Sequence, residues 1–173
     1  THDQEPKTIL IMGDTGTGKS ETLEAMRSIA SKEIEDLVII ADDMGSLELT
    51  PAGGIMGYGT ETGAFVRLDD LQPGYAFGQM DRAVIMNPNQ VNARVVIPVT
   101  TYYNITHGFP VDYVLYANNY DAVDDPEKTI LPFITKEDAL QVFRQGRSMS
   151  KGTTTSSGIT EAYFANIFGP AQY

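Results

Sequence analysis

Cysteine is absent from this chain of 173 residues. That gap excludes a disulfide framework and any thiolate metal site at once. Tryptophan is also absent. Basic side chains are scarce: 12 Lys and Arg stand against 23 Asp and Glu, for a formal net charge of −11. A surface of that sign repels nucleic acid and anionic membrane. No apolar run approaches membrane-spanning length, and no charged-then-apolar leader opens the chain. What remains is 42% hydrophobic, enough at this length for one domain with a real core. Seven polar residues, through Lys7, read as a disordered tail. The domain spans 8–173 and breaks off after Phe168-Gly169-Pro170-Ala171-Gln172-Tyr173, which reads as packed structure incomplete at its C-terminus. The expectation is a piece of a longer polypeptide with an additional domain.

Against these absences stands one complete motif. Residues 13 to 20 read Gly13-Asp14-Thr15-Gly16-Thr17-Gly18-Lys19-Ser20, a phosphate-binding loop of the form G-x-x-x-x-G-K-[ST]. The apolar run Thr8-Ile9-Leu10-Ile11-Met12 before it suits a buried parallel strand. Glu21 to Lys32 after it carries Leu23, Met26, Ile29 and Ala30 at helical spacing. Strand, glycine-rich turn and helix form the setting that the motif requires. Gly13, Gly16 and Gly18 let successive N–H groups point into one concavity. The helix N-terminus adds partial positive charge. Lys19 then reaches the β- and γ-phosphates, and the Ser20 hydroxyl ligates Mg²⁺. The expected ligand is ATP with Mg²⁺, and an ATP-type motif favours a cytoplasmic location.

Leu37-Val38-Ile39-Ile40-Ala41-Asp42-Asp43 has the pattern of a buried strand ending in two acids. Asp42 and Asp43 follow Lys19 by 23 and 24 positions, so one β-α-β unit would set them beside the phosphates. One acid can hold Mg²⁺; the other can hold a second metal or orient an attacking group. The alternative is a turn with solvated acids. Leu47 to Gly63, with Gly53, Gly54, Gly57, Gly59 and Gly63, reads as turns and a mobile loop. Strands are expected at 64–68, 83–86, 94–99 and 113–117, with Pro98 marking an edge or irregular strand. Asp121 to Lys128 reads as a solvated acidic loop. Thr135-Lys136-Glu137-Asp138 is a variant capping box that opens a helix through Gln145, and Gly146 is its stop. Residues 148–158, rich in Ser, Thr and Gly, suggest a flexible connection or a loop ordered by ligand. His107 falls in an expected turn. The sequon Asn104-Ile105-Thr106 reads as coincidence.

GDTGTGKSETLEAM followed by VIIADD resembles the superfamily of ATP-dependent phosphoenolpyruvate carboxykinase and HPr kinase/phosphorylase. Lys19-Ser20-Glu21-Thr22 and Ala41-Asp42-Asp43 lean towards the HPr kinase version. Downstream, Glu61-Thr62-Gly63-Ala64-Phe65-Val66-Arg67 is similar to the carboxykinase Glu-Gly-Gly-Cys-Tyr-Ala-Lys segment. Asn92-Ala93-Arg94-Val95-Val96-Ile97-Pro98 is similar to its Asn-Thr-Arg-Val-x-Tyr-Pro. Tyr113 to Ala117 fits the strand that follows. Gly158-Ile159-Thr160-Glu161, Phe164 and Phe168-Gly169 resemble its Gly-Ile-Thr-Glu-Pro and Cys-Phe-Gly. The match runs in order through most of residues 8 to 170.

The resemblance implies an α/β fold: a mixed, strongly twisted sheet with flanking helices, as in the carboxykinase-like C-terminal domain with its phosphate-binding loop. It implies Lys19 and Ser20 on phosphate and Mg²⁺, Asp43 as a transition-metal ligand such as for Mn²⁺, and Asp42 near the water shell of Mg²⁺. Arg67 stands where the family has a phosphate-contacting lysine. Arg94 stands where it has an arginine on the transferring γ-phosphate. The implied reaction converts oxaloacetate and ATP to phosphoenolpyruvate, CO₂ and ADP. Two further readings are an HPr-kinase-like enzyme acting on a protein hydroxyl and a nucleotide-binding regulatory module without turnover. The acceptor is thus a small molecule or a protein. The family's metal-binding lysine and histidine, and its oxaloacetate-binding arginine, lie upstream of the loop, where this chain has only His2 and Lys7. Its adenine-binding portion lies beyond Tyr173. Ala162 replaces the proline of Gly-Ile-Thr-Glu-Pro. The resemblance therefore carries phosphate binding further than decarboxylation.

Overall fold

The apolar run after Lys7 forms strand β1 (Ile9–Met12), and the chain leaves the phosphate-binding loop directly into helix α1 (Lys19–Ile29). The computed structural model describes residues 5–13, 17–29, 34, 36–67, 84–86, 94–149 and 158–161. It is a mixed α/β structure with few helices, and its described strands form four small sheets. The chain divides into two compact units, residues 1–10 with 20–113 and residues 11–19 with 114–173.

Strand β1 pairs with β8 (Tyr113–Tyr116). Thr8 C=O accepts from the N–H groups of Asp112 and Tyr113, and Met12 C=O accepts from Ala117 N–H at 2.8 Å. The partners advance in the same direction, so the pair is parallel, as the sequence predicts. The expected burial of β1 is not met: Ile9 is exposed and Leu10 to Met12 are half-buried. At the entrance, Asp112 accepts from Thr8 N–H at 2.8 Å and from Lys7 Nζ at 3.3 Å.

In the first unit, β2 (Gly45–Leu49), β3 (Ile55–Gly59) and β7 (Phe109–Pro110) form an antiparallel sheet with β3 central. This corrects the expectation of loop from Leu47 to Gly63. A turn at Thr50 to Gly54 joins β2 to β3, with Gly53 at φ 84° and Thr50 Oγ1 accepting from Gly54 N–H at 2.9 Å. Glycine serves close approach here. A Cβ on Gly59 would meet the Ile40 carbonyl oxygen and, at 2.5 Å, Ile105 Cγ2.

A second antiparallel sheet has β6 (Arg94–Pro98) between β4 (Gly63–Arg67) and β5 (Val84–Met86). It carries the core. Ala64, Val95 and Ile97 are fully buried, and Ala64 opposes Ile97 in register. β6 is thus central, against the edge position that Pro98 suggests. Pro98 sits at its last position, opposite Gly63, whereas β5 reaches only residues 94–96. The missing N–H falls where only β4 lies alongside. Helix α2 (Tyr102–His107) follows, capped by Thr101 and stopped at Gly108 with φ 76°. His107 therefore ends a helix rather than sitting in a turn. It is exposed and stacked on Tyr103, ring centroids 4.7 Å apart.

In the second unit a 3-10 turn (Pro126–Lys128) interrupts the exposed acidic stretch. Helix α3 (Lys136–Gln145) then begins as predicted. Thr135 Oγ1 accepts from Asp138 N–H at 3.1 Å and donates to Asp138 Oδ2 at 2.7 Å, and Gly146 closes the helix with φ 55°. β9 (Arg147–Met149) pairs antiparallel with β10 (Ile159–Glu161), so residues 148 and 149 are strand rather than flexible connection. Residues 150–157, with Phe164, Phe168 and Gly169, lie outside the described residues.

Candidate nucleotide-binding site

The loop's two described ends are held together within the second unit. Lys19 Nζ donates to the Gly13 carbonyl at 2.7 Å, so the ammonium at the end of the loop folds back over its beginning. Gly18 has φ 88°, a left-handed conformation that favours glycine. Thr17 is buried. A Cβ on Gly13 would strike the Thr17 side chain and would lie 2.8 Å from the Ala117 carbonyl oxygen. The first glycine is thus fixed by crowding and the last by backbone angle. Asp14, Thr15 and Gly16 lie outside the described residues. Helix α1 starts at Lys19, two residues ahead of the predicted start. Lys19 and Ser20 therefore occupy the first turn, where the N–H groups face out of the helix end and the helix dipole favours an anion.

In the first unit, the Ser20 hydroxyl donates to Asp42 Oδ1 at 3.0 Å across 22 positions of sequence. Both side chains are half-buried. The backbone that delivers Asp42 differs from expectation. Residues 37–43 form no strand; the chain bends at Ile40 and again through Asp42 and Asp43. Ile39 is 5% exposed while its neighbour Val38 is 51% exposed. One apolar side chain anchors the segment, and the backbone ladder that the apolar run suggests does not form. Asp43 is exposed on the same bend.

A third acid joins them. Burial raises the Glu61 carboxyl above its ordinary value, and the charges of Asp43 and then Asp42 raise it further. Sequence reading assigned Glu61 no role. Its signal is its position two residues ahead of β4 in the Glu-Thr-Gly-Ala segment. The donor set is oxygen throughout, a serine hydroxyl and carboxylates, which matches a hard cation such as Mg²⁺ rather than a soft one. Among the described residues, no three of His, Cys, Asp and Glu converge closely enough to cage a metal by themselves.

No protein-family model, curated protein or solved structure matches this chain.

Arg67 and Arg94 are direct register partners across β4 and β6. They share one end of their sheet. Glu61 precedes the opposite end of β4, and the five residues of that strand span about 13 Å. Four predicted or newly found oxygen donors, on Ser20, Asp42, Asp43 and Glu61, thus form one neighbourhood. The two arginines are backbone register partners at the other end of β4. Among the described residues no helix is long and apolar enough to cross a membrane.

Proposed function

We propose that this chain binds a nucleoside triphosphate with Mg²⁺ and belongs to a phosphoryl-transfer enzyme of the carboxykinase type, on a carboxykinase-like nucleotide-binding domain. One observation carries the reading. The hydroxyl of the residue after the loop lysine is hydrogen-bonded to an acid 22 positions on, at 3.0 Å. A P-loop uses that pair to share Mg²⁺ between protein and phosphates. The flanking parallel strand, the left-handed Gly18 and the fold-back of Lys19 onto Gly13 support it.

Each residue then has a task. The N–H groups of the first turn of α1 hold phosphate oxygens. Lys19 exchanges its bond to the Gly13 carbonyl for the β- and γ-phosphates. Ser20 would ligate Mg²⁺, and Asp42 would orient its waters while keeping the serine hydroxyl in place. Mg²⁺, when bound, neutralises charge on the transferring phosphoryl group. Asp43 and Glu61 raise the negative field around the cation. Arg67 and Arg94, register partners at the end of β4 away from Glu61, would offer positive charge to an acceptor rather than to the phosphoryl group at Ser20 and Asp42.

The test has two parts. Calorimetric titration of the 173-residue chain with ATP and GTP, with Mg²⁺ and with EDTA, examines binding; Mg²⁺-dependent affinity for both is expected. A coupled assay with oxaloacetate, ATP, Mg²⁺ and Mn²⁺ examines turnover. The chain alone has no residues matching the family's oxaloacetate-holding groups, so positioning of the acceptor is lost and the rate falls by many orders of magnitude. Phosphoenolpyruvate formed at an enzyme-like rate would overturn that account of the acceptor. Absence of nucleotide binding would overturn the function itself.

A further inference from the structure

The second unit displays an apolar segment that is left exposed among the described residues. Ile130, Leu131 and Ile134 are 70%, 68% and 93% exposed. The segment is nevertheless held at its C-terminal end. The Phe133 ring lies 6.1 Å from Phe143 of α3, and Phe143 meets Tyr116 edge-on at 5.5 Å. Thr135 caps α3 immediately afterwards. Ile134 directly precedes that cap, where an apolar residue ordinarily folds back onto the fourth residue of the helix. Here that residue is Ala139, and Ile134 remains almost wholly solvated. The best place for a local hydrophobic closure is thus unused. Leu140, the residue after Ala139, is exposed as well and lines a depression along α3 with Glu137, Gln141 and Arg144.

The charges around the segment indicate what fits it. Residues 121–145 hold six acidic side chains and three basic ones. Asp124 and Glu127 precede the apolar residues and Glu137 follows them, all exposed; of the nearer lysines, Lys128 pairs with Asp125 at 3.7 Å and Lys136 opens α3. We propose that this surface docks a basic amphipathic polypeptide segment of a partner protein. Its apolar side chains would cover Ile130, Leu131 and Ile134, and its lysines or arginines would face the flanking acids. A second copy of this chain would bring acidic flanks together in a molecule of net charge −11, and like charges across an interface oppose association. An anionic membrane surface is repelled for the same reason. The proposal is independent of the nucleotide reading.

The test uses the 173-residue chain and three fluorescein-labelled 16-residue peptides, followed by fluorescence anisotropy. The first carries leucine at helical spacing with lysine elsewhere. The second replaces lysine with glutamate, and the third replaces leucine with serine. The leucine–lysine peptide should bind at least tenfold more tightly than either control and lose affinity as salt rises. The Leu131→Ser/Ile134→Ser double variant should weaken it by about tenfold or more. A Leu47→Ser/Leu49→Ser variant, altering exposed apolar residues of the other unit, should bind as wild type does. Both should keep the wild-type circular dichroism spectrum. Equal binding of the serine–lysine peptide would reduce the effect to net charge and overturn the proposal. So would unchanged affinity in the Leu131/Ile134 variant. Sedimentation that shows a dimer lost in that variant, or its loss of binding to zwitterionic vesicles, would assign the surface to another occupant.

Discussion

Replacing Asp42 with Asn separates a scaffold role from a metal role. Asn keeps an acceptor oxygen for the Ser20 hydroxyl, now 3.0 Å from Asp42 Oδ1, but removes the charge. A hydrogen bond to a charged acceptor is worth about 1.5–3 kcal/mol and a neutral one about 0.5–1.5. The fold should therefore lose about 1 kcal/mol. Relief at Glu61 offsets part of that loss, since the Asp42 charge raises that carboxyl. In a chain of this length the change in Tm should stay within about 4 °C. The metal sees a larger effect. Unit charges about 4 Å apart interact by about 1 kcal/mol in water and about 4 at an effective dielectric of 20. A dication doubles this, and desolvation returns much of it. The half-buried Asp42 should thus contribute about 1.4–2.8 kcal/mol, a tenfold to hundredfold loss of Mg²⁺-dependent ATP affinity. Calorimetry in Mg²⁺ and in EDTA measures the difference directly, and Ser20→Ala should lose a similar amount. If Asp42→Asn keeps the full Mg²⁺ enhancement, the acid is not serving the cation. If its Tm instead drops by more than about 10 °C, Asp42 is there to hold the fold.

Lys19→Ala should abolish ATP and GTP binding alike, because the loop meets the triphosphate tail; a surviving preference for one base in calorimetry would place the affinity elsewhere. Glu61→Gln should raise Tm slightly at pH 7. The folded Glu61 holds its proton above the ordinary 4.5, so its charged form costs stability once pH exceeds the raised value, and the gain should vanish at pH 4, below the unfolded value. Thermal melts at both pH values check the sign. Thr135→Ala removes the cap on Asp138 N–H and should cost about 1 kcal/mol, read from urea unfolding with an unchanged slope.

Local chemistry made part of this structure legible in sequence. The Thr135–Asp138 box, the Gly146 stop and the strand–loop–helix around Lys19 all depend on neighbours a few residues apart. The misreadings lie where distant residues decide. Gly57 and Gly59 look like loop punctuation, yet they sit in β3 because Val111 and Ile105 crowd the positions that their Cβ atoms would take. Leu37 to Ile40 look like a buried strand, but only Ile39 finds the interior. The Ser20 contact does not require a strand to deliver Asp42. Glu61 was hidden because its character comes from burial in the fold and then from two carboxylates that lie 18 and 19 positions earlier.

The parallel pairing of β1 with β8 has a consequence for the order of assembly. Met12, the last residue before the loop, finds its partner N–H at Ala117, 105 positions later. During synthesis the glycine-rich segment must wait for about a hundred further residues to emerge before its supporting strand can dock. The β2–β3 hairpin needs only a five-residue turn. High contact order slows such long-range closure, so the hairpin should acquire hydrogen-exchange protection well before β1. A nascent chain stalled before residue 113 has reached the exit would carry the phosphate-binding motif in full and still lack the partner that positions it.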